Sequence, residues 1–222
     1  NKLSELAVST VTQPTVTHPH DDPSAPVPTA PTEEKAPVCV NFDALWEINR
    51  DIVAWVHIPD TVVDYPIAQS QDNDYYLYRL PDGTYNGAGT LFLDYRCSDD
   101  FTDFVSVIYG HNMKNDTMFG QLTSYKKQSY YEAHPVLYLL TPKGDYRVEL
   151  FAGYTTSSDS QTYRLIYAQD EKAAFINRAK QVSDFQTDVE VTDLDRLLIL
   201  STCAYEYKNA RYVVIGVLRP LP

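Results

Sequence analysis

Leu197-Leu198-Ile199-Leu200-Ser201-Thr202-Cys203 is followed, after the polar stretch Ala204-Tyr205-Glu206-Tyr207-Lys208-Asn209, by Ala210-Arg211-Tyr212-Val213-Val214-Ile215-Gly216. Two short apolar runs around a polar turn read as a pair of strands. The first run ends in a thiol and the second begins with a guanidinium. A thiol becomes a strong nucleophile only as the thiolate, and a fixed positive charge nearby favours that form. Cys203 and Arg211 therefore form the core of a candidate catalytic site.

Working outward, the same strand signature recurs at 53–58, 62–67, 89–95, 104–109, 136–141 and 146–155. With the pair at 197–202 and 211–218, this gives about eight short strands, enough for a closed or nearly closed barrel. The segment Thr141-Pro142-Lys143-Gly144-Asp145 reads as a hairpin turn. Helical spacing is sparse. Asn41 is a plausible N-cap for a helix whose face carries Phe42, Leu45, Trp46 and Asn49, and two more short helices are expected near 117–125 and 170–182. The fold class expected is mainly β: an eight-stranded β-barrel with an N-terminal helix and a few short helices.

Residues 1–40 differ in kind. They are rich in Pro, Thr, Ser and Val, as in His18-Pro19-His20-Asp21-Asp22-Pro23-Ser24-Ala25-Pro26, and are too poor in large apolar side chains to build a core. They are read as a disordered, partly polyproline stalk, with the catalytic domain at 41–222. The 222-residue chain has room for one such domain and a tail. Its net charge of −12 argues against nucleic acid as a partner, because phosphate binding needs a basic surface. Three cysteines, Cys39, Cys97 and Cys203, are too few for a disulfide framework, and none has zinc-site spacing, so neither metal nor cofactor is expected. No stretch is long and apolar enough to span a bilayer.

A third candidate lies far upstream. Tyr109-Gly110-His111-Asn112 closes the apolar run Phe104-Val105-Ser106-Val107-Ile108, so His111 leaves a strand end at a sharp exit. An imidazole near a thiol can take its proton and later return it to an amine leaving group. Arg211 stays protonated and cannot be a base, but it can hold a carbonyl and the oxyanion of a tetrahedral intermediate. Each residue has an ordinary reading as well: a buried hydrophobe, a loop imidazole, a surface cation. His57, inside a strand pattern, is read as structural. The loop 159–168, with Tyr163, Arg164 and Tyr167, is read as shaping a substrate groove.

These motifs, Tyr109-Gly110-His111-Asn112, Leu200-Ser201-Thr202-Cys203 and Ala210-Arg211-Tyr212-Val213-Val214-Ile215-Gly216, resemble those of the sortases, and most of all class B. The likeness extends over roughly residues 42–219, with support from Asn49-Arg50-Asp51-Ile52-Val53-Ala54-Trp55 and Met118-Phe119-Gly120-Gln121-Leu122. The resemblance implies a sortase barrel with an extra helix before the Cys-bearing strand. It implies a cysteine transpeptidase on the outer face of a Gram-positive cell, held by an N-terminal membrane anchor absent from this chain. Such an enzyme cuts a C-terminal sorting motif of a secreted protein, keeps the acyl fragment as a thioester, and passes it to an amine of a peptidoglycan precursor or pilin. In these terms Cys203 is the nucleophile, His111 the acid, and Arg211 the carbonyl and oxyanion binder. Read from their places beside the thiol and in the loop, Ser201, Thr202, Tyr163 and Tyr167 are expected to bind substrate. A hydrolytic cysteine peptidase and a non-catalytic wall-binding module are the alternatives. A coupled thiol and imidazole also imply a bell-shaped dependence of rate on pH.

Overall fold

The structure, a computed structural model, describes residues 5, 7–10 and 35–222. Strands β1 (Val8–Thr10) and β2 (Val38–Val40) pair antiparallel as a separate ribbon, and helix α1 (Phe42–Trp46) follows. Asn41 caps that helix by accepting the Ala44 N–H at 3.1 Å, the role its position predicts. Asn49 falls beyond the helix and instead donates to Tyr76 Oη and the Pro81 carbonyl.

Eight further strands close into a barrel. They are β3 (Ile52–His57), β4 (Asp64–Ala68), β5 (Leu91–Leu93), β6 (Val105–Tyr109), β7 (Val136–Leu140), β8 (Tyr146–Ser157), β9 (Leu197–Cys203) and β10 (Ala210–Pro220). Around the barrel the order is β10-β8-β7-β3-β4-β5-β6-β9, antiparallel except for the parallel pairs β4–β5 and β6–β9. Closure leaves no unpaired edge along the barrel wall. The expected barrel is the observed one. Helix α2 (Gln128–Ala133) precedes β7, and α3 (Gln169–Val182) lies between β8 and β9. The helix expected near 117–125 is a 3₁₀ turn, Gly120–Lys126.

Why β9 and β10 read as unbroken apolar runs is now plain: both of their faces are covered. Leu198, Leu200, Tyr212 and Val214 point into the barrel with residues of every other strand. Their neighbours Leu197, Ile199, Val213 and Ile215 pack outward under Phe175, Ile176 and Ala179 of α3. A third apolar layer joins Ala7, Ala36 and Val38 to Leu45, Trp55 and Leu140.

That third layer revises one expectation. The span assigned to a structureless stalk contains β1 and β2, with Ala7, Ala36 and Val38 buried against the barrel wall. The small apolar residues of this segment suffice because Trp55 and Leu140 already supply the large surface. Residues 1–4, 6 and 11–34 of the expected stalk lie outside the described residues. His57 is structural as expected, its Nδ1 lying 3.0 Å from the Asp64 carboxylate that also accepts from Trp55 Nε1.

Candidate active site

The strand register gathers the predicted residues. Antiparallel pairing sets Arg211, the second residue of β10, opposite Cys203, the last of β9. Parallel pairing sets Tyr109 opposite Ser201, so β6 ends at the same rim of the barrel as β9. Three hydrogen bonds lock the exits together: Gly110 N–H to the Ser201 carbonyl at 3.1 Å, Thr202 Oγ1 to the Gly110 carbonyl at 2.8 Å, and Asn112 Nδ2 to the Cys203 carbonyl at 2.7 Å. The peptide carrying the thiol is thus tied to the segment carrying His111.

Gly110 is required by crowding rather than by its backbone angles. A Cβ there would lie 2.3 Å from Leu91 Cδ2 and 2.6 Å from Phe119 Cδ2. His111, half-buried, rests against the Tyr78 ring at 5.5 Å and directs Nε2 to the Leu77 carbonyl at 2.6 Å. A carbonyl only accepts, so Nε2 carries the proton in this contact and Nδ1 is left for exchange. The contact comes from the 3₁₀ turn Tyr75–Tyr78, and because it uses a main-chain carbonyl no side-chain pattern announces it.

Cys203, His111 and Arg211 line one cleft, together with Ser201, Thr202 and Tyr163. Of these, Ser201 and Thr202 are buried, and their hydroxyls are engaged within the protein. Ser201 Oγ meets Tyr163 Oη at 2.8 Å, and Thr202 bonds Gly110. Both build the floor of the cleft. Burial pushes the Tyr163 phenol up to about 12, so it remains a neutral hydrogen-bonding group.

Tyr167 is the exception to the sequence reading and does not join the cleft lining. Its ring packs edge-on against Phe104 at 5.2 Å and tilts against Phe175 at 5.2 Å, covering the α3 face. The same loop thus sends Tyr163 to the cleft and Tyr167 to the helix.

The three cysteines are free, and their settings differ. Cys39 is exposed on β2, whereas burial pushes the Cys97 thiol up to about 12, leaving it inert. Only Cys203 among them lines the cleft. The cleft also holds residues the motifs did not single out: Asn73, Leu77, Phe92, Arg96 and Ser158. Among the described residues, no cluster of His, Cys, Asp or Glu is arranged to hold a metal ion.

A family model described as a sortase domain matches residues 56–219, most of the chain. The chain belongs to the sortase family. Sortase B of Listeria monocytogenes is 38% identical over 177 residues, covering 78% of this chain and 72% of the relative. The solved Staphylococcus aureus sortase B–substrate complex superposes with a TM-score of 0.78 at 31% identity, covering 82% of this chain and 85% of that one. A structure of sortase B complexed with triglycine gives 0.77 at 31% identity, covering 82% and 86%. The protein is a cysteine transpeptidase of the sortase B type, built on the mainly β barrel described above, and sortases act at the bacterial cell surface. The match to the family model begins near the end of β3 and ends in β10, so it takes in the other strands of the barrel and the loops between them.

Proposed function

We propose that Cys203, His111 and Arg211 carry the transpeptidation, and that Ser201, Thr202 and Tyr163 shape the cleft in which the sorting peptide lies. Proton transfer from Cys203 to His111 gives thiolate and imidazolium. The thiolate sulfur attacks the scissile carbonyl carbon, and the Arg211 N–H groups receive the oxyanion that forms. When the tetrahedral intermediate collapses, the C–N bond breaks and the leaving amine takes its proton from His111 Nδ1. A thioester on Cys203 remains. An acceptor amine then attacks the thioester carbonyl, gives its proton to His111, and expels Cys203 as thiolate. One amide is exchanged for another with no net consumption of water.

The observation that carries this reading is the pairing of Arg211 with Cys203 across β9–β10, with the His111 exit bonded to the Cys203 carbonyl through Asn112. The Nε2 contact to Leu77 fits the same scheme, since it fixes the ring and leaves Nδ1 for the proton. By analogy with the relatives, the donor is a secreted protein with a C-terminal sorting motif. The acceptor is an amine of a peptidoglycan precursor or a pilin, and glycine amines are the first to test. The site of action is the outer face of a Gram-positive membrane, reached through an N-terminal anchor.

Intact mass spectrometry tests the roles. Incubation with the substrate peptide of S. aureus sortase B should add the mass of the acyl fragment, hydroxylamine should discharge it, and Cys203→Ala should abolish it. Ligation to added triglycine distinguishes transfer from simple hydrolysis. Cleavage that persists in Cys203→Ala would overturn the assignment.

A further inference from the structure

Arg96 has no part in the steps above, yet it lines the cleft with Cys203, His111 and Arg211. It lies just past β5, and its side chain is 48% exposed while that of its partner Asp94 is 0% exposed. The pairing is a two-pronged fork: Nε donates to Asp94 Oδ1 at 2.9 Å and Nη2 to Oδ2 at 2.8 Å. Asp94 also accepts from the Arg96 N–H at 3.1 Å and from Tyr109 Oη at 3.0 Å. Its own backbone is tied to the barrel, Asp94 N–H to the Val107 carbonyl at 2.8 Å and Gln69 Nε2 to the Asp94 carbonyl at 3.0 Å. The guanidinium is therefore held in one orientation.

An ion pair with one buried partner is weak evidence of a stabilising device, since an apolar pair of similar size often serves folding as well or better. Its effect here is orientation. A guanidinium has five N–H donors, and the fork uses two. The remaining edge, Nη1 and the second hydrogen of Nη2, has no protein acceptor among the described residues. Burial raises the Asp94 carboxyl, but the bonds from Arg96 and Tyr109 outweigh it and hold the group below the usual carboxylate range. The carboxylate stays charged and offsets most of the charge of Arg96. The free edge of this cleft-lining residue is a set of aligned donors with little net charge, a match for a neutral carbonyl oxygen rather than a free carboxylate. An extended peptide brings one main-chain carbonyl per residue, and each needs a partner when water is excluded.

We propose that Arg96, held by Asp94, is a substrate-binding residue whose outward N–H donors take a main-chain carbonyl of the sorting peptide lying in the cleft. The proposal rests on the transpeptidase reading of this cleft.

The test compares wild type with Arg96→Lys, which keeps a cation beside Asp94 but has no fork to serve both partners. The double variant Asp94→Asn/Arg96→Gln leaves no unpaired buried charge and guards against misfolding. The probe is the substrate peptide of S. aureus sortase B in internally quenched form, with triglycine as acceptor. Both variants should raise KM for the peptide about tenfold and leave kcat within about twofold. The rate of Cys203 alkylation by iodoacetamide and the melting temperature should be unchanged in Arg96→Lys. In a scan replacing peptide carbonyls by thiocarbonyls one at a time, one position should penalise wild type and not Arg96→Lys. An unchanged peptide KM in both variants overturns the proposal. So does a joint fall in kcat, alkylation rate and melting temperature, which would make Arg96 purely structural, and so does a change confined to the KM of triglycine. If wild type is not acylated by the peptide at all, the transpeptidase reading falls, and this proposal with it.

Discussion

Replacing Gly110 by Ala inserts one methyl group where the barrel and the His111 segment are closest. Its Cβ would stand 2.3 Å from Leu91 Cδ2 and 2.6 Å from Phe119 Cδ2, against an ordinary contact of at least 3.4 Å. Leu91 would have to retreat by about 1.1 Å and Phe119 by about 0.8 Å, or the Gly110 backbone would have to shift instead. Both neighbours are fully buried in the barrel core, so neither has free space to enter. Overpacking of this kind costs about 1–3 kcal/mol. At about 2 kcal/mol, a domain of this size loses roughly 4–8 °C in melting temperature. A backbone shift would be transmitted to His111, the next residue, and a displacement of about 1 Å at a reacting group is worth roughly 100-fold in rate. Thermal unfolding and peptide acylation, measured together, check both parts. Gly87→Ala is the control, since a Cβ there meets nothing within 4 Å, and it should change neither. A melting temperature for Gly110→Ala within about 1 °C of wild type, or an equal loss in the control, would refute the steric argument.

Three further expectations follow from single contacts. Asn112→Ala leaves the Cys203 carbonyl without its donor and should cost about 1–2 kcal/mol in denaturant unfolding, with a larger proportional loss of acylation rate; full activity would show that the tie between the two exits is dispensable. Tyr163→Phe strands the hydroxyl of Ser201, which is 1% exposed, and should lower stability by about 1 kcal/mol while the thioester still forms. The last concerns pH. The Asp94 carboxyl is raised by burial but more strongly lowered by Arg96 and Tyr109, and ends below its ordinary 3.8. A group depressed in the folded state stabilises above its unfolded pKa, and that contribution is lost as pH falls through the folded value. Urea unfolding should therefore show stability dropping below about pH 4, with a flatter dependence in Asp94→Asn; identical slopes would sink the linkage.

Much of the barrel was legible because period and composition are local properties. The β9–β10 pair, the hairpin at 141–145 and the helix at 170–182 were all readable from runs of apolar residues and their punctuation, and the observed α3 covers 169–182. The N-terminal ribbon was not, because β1 and β2 are three residues each and draw their stability from Trp55 and Leu140 rather than from their own side chains. The 3₁₀ turn after His111 escaped for a similar reason: its helical spacing is present, but its packing against the barrel sets a tighter winding.

At the site, Cys203, His111 and Arg211 stood out because each combines a reactive side chain with a strand end, and Tyr163 followed from its loop. Tyr167 was grouped with it by proximity in sequence, and the two part only because one ring finds Ser201 and the other finds Phe104 and Phe175. By itself the sequence determined the kinds of element, the barrel class, the family and the candidate nucleophile, because these depend on patterns within a few residues or on motifs. Tertiary structure alone decided which strand ends share a rim, that Leu77 offers a carbonyl to His111, and that Asp94 holds Arg96 at the lining of the cleft. Those facts depend on register between strands distant in the chain and on main-chain groups that every residue carries alike, and no local pattern encodes either.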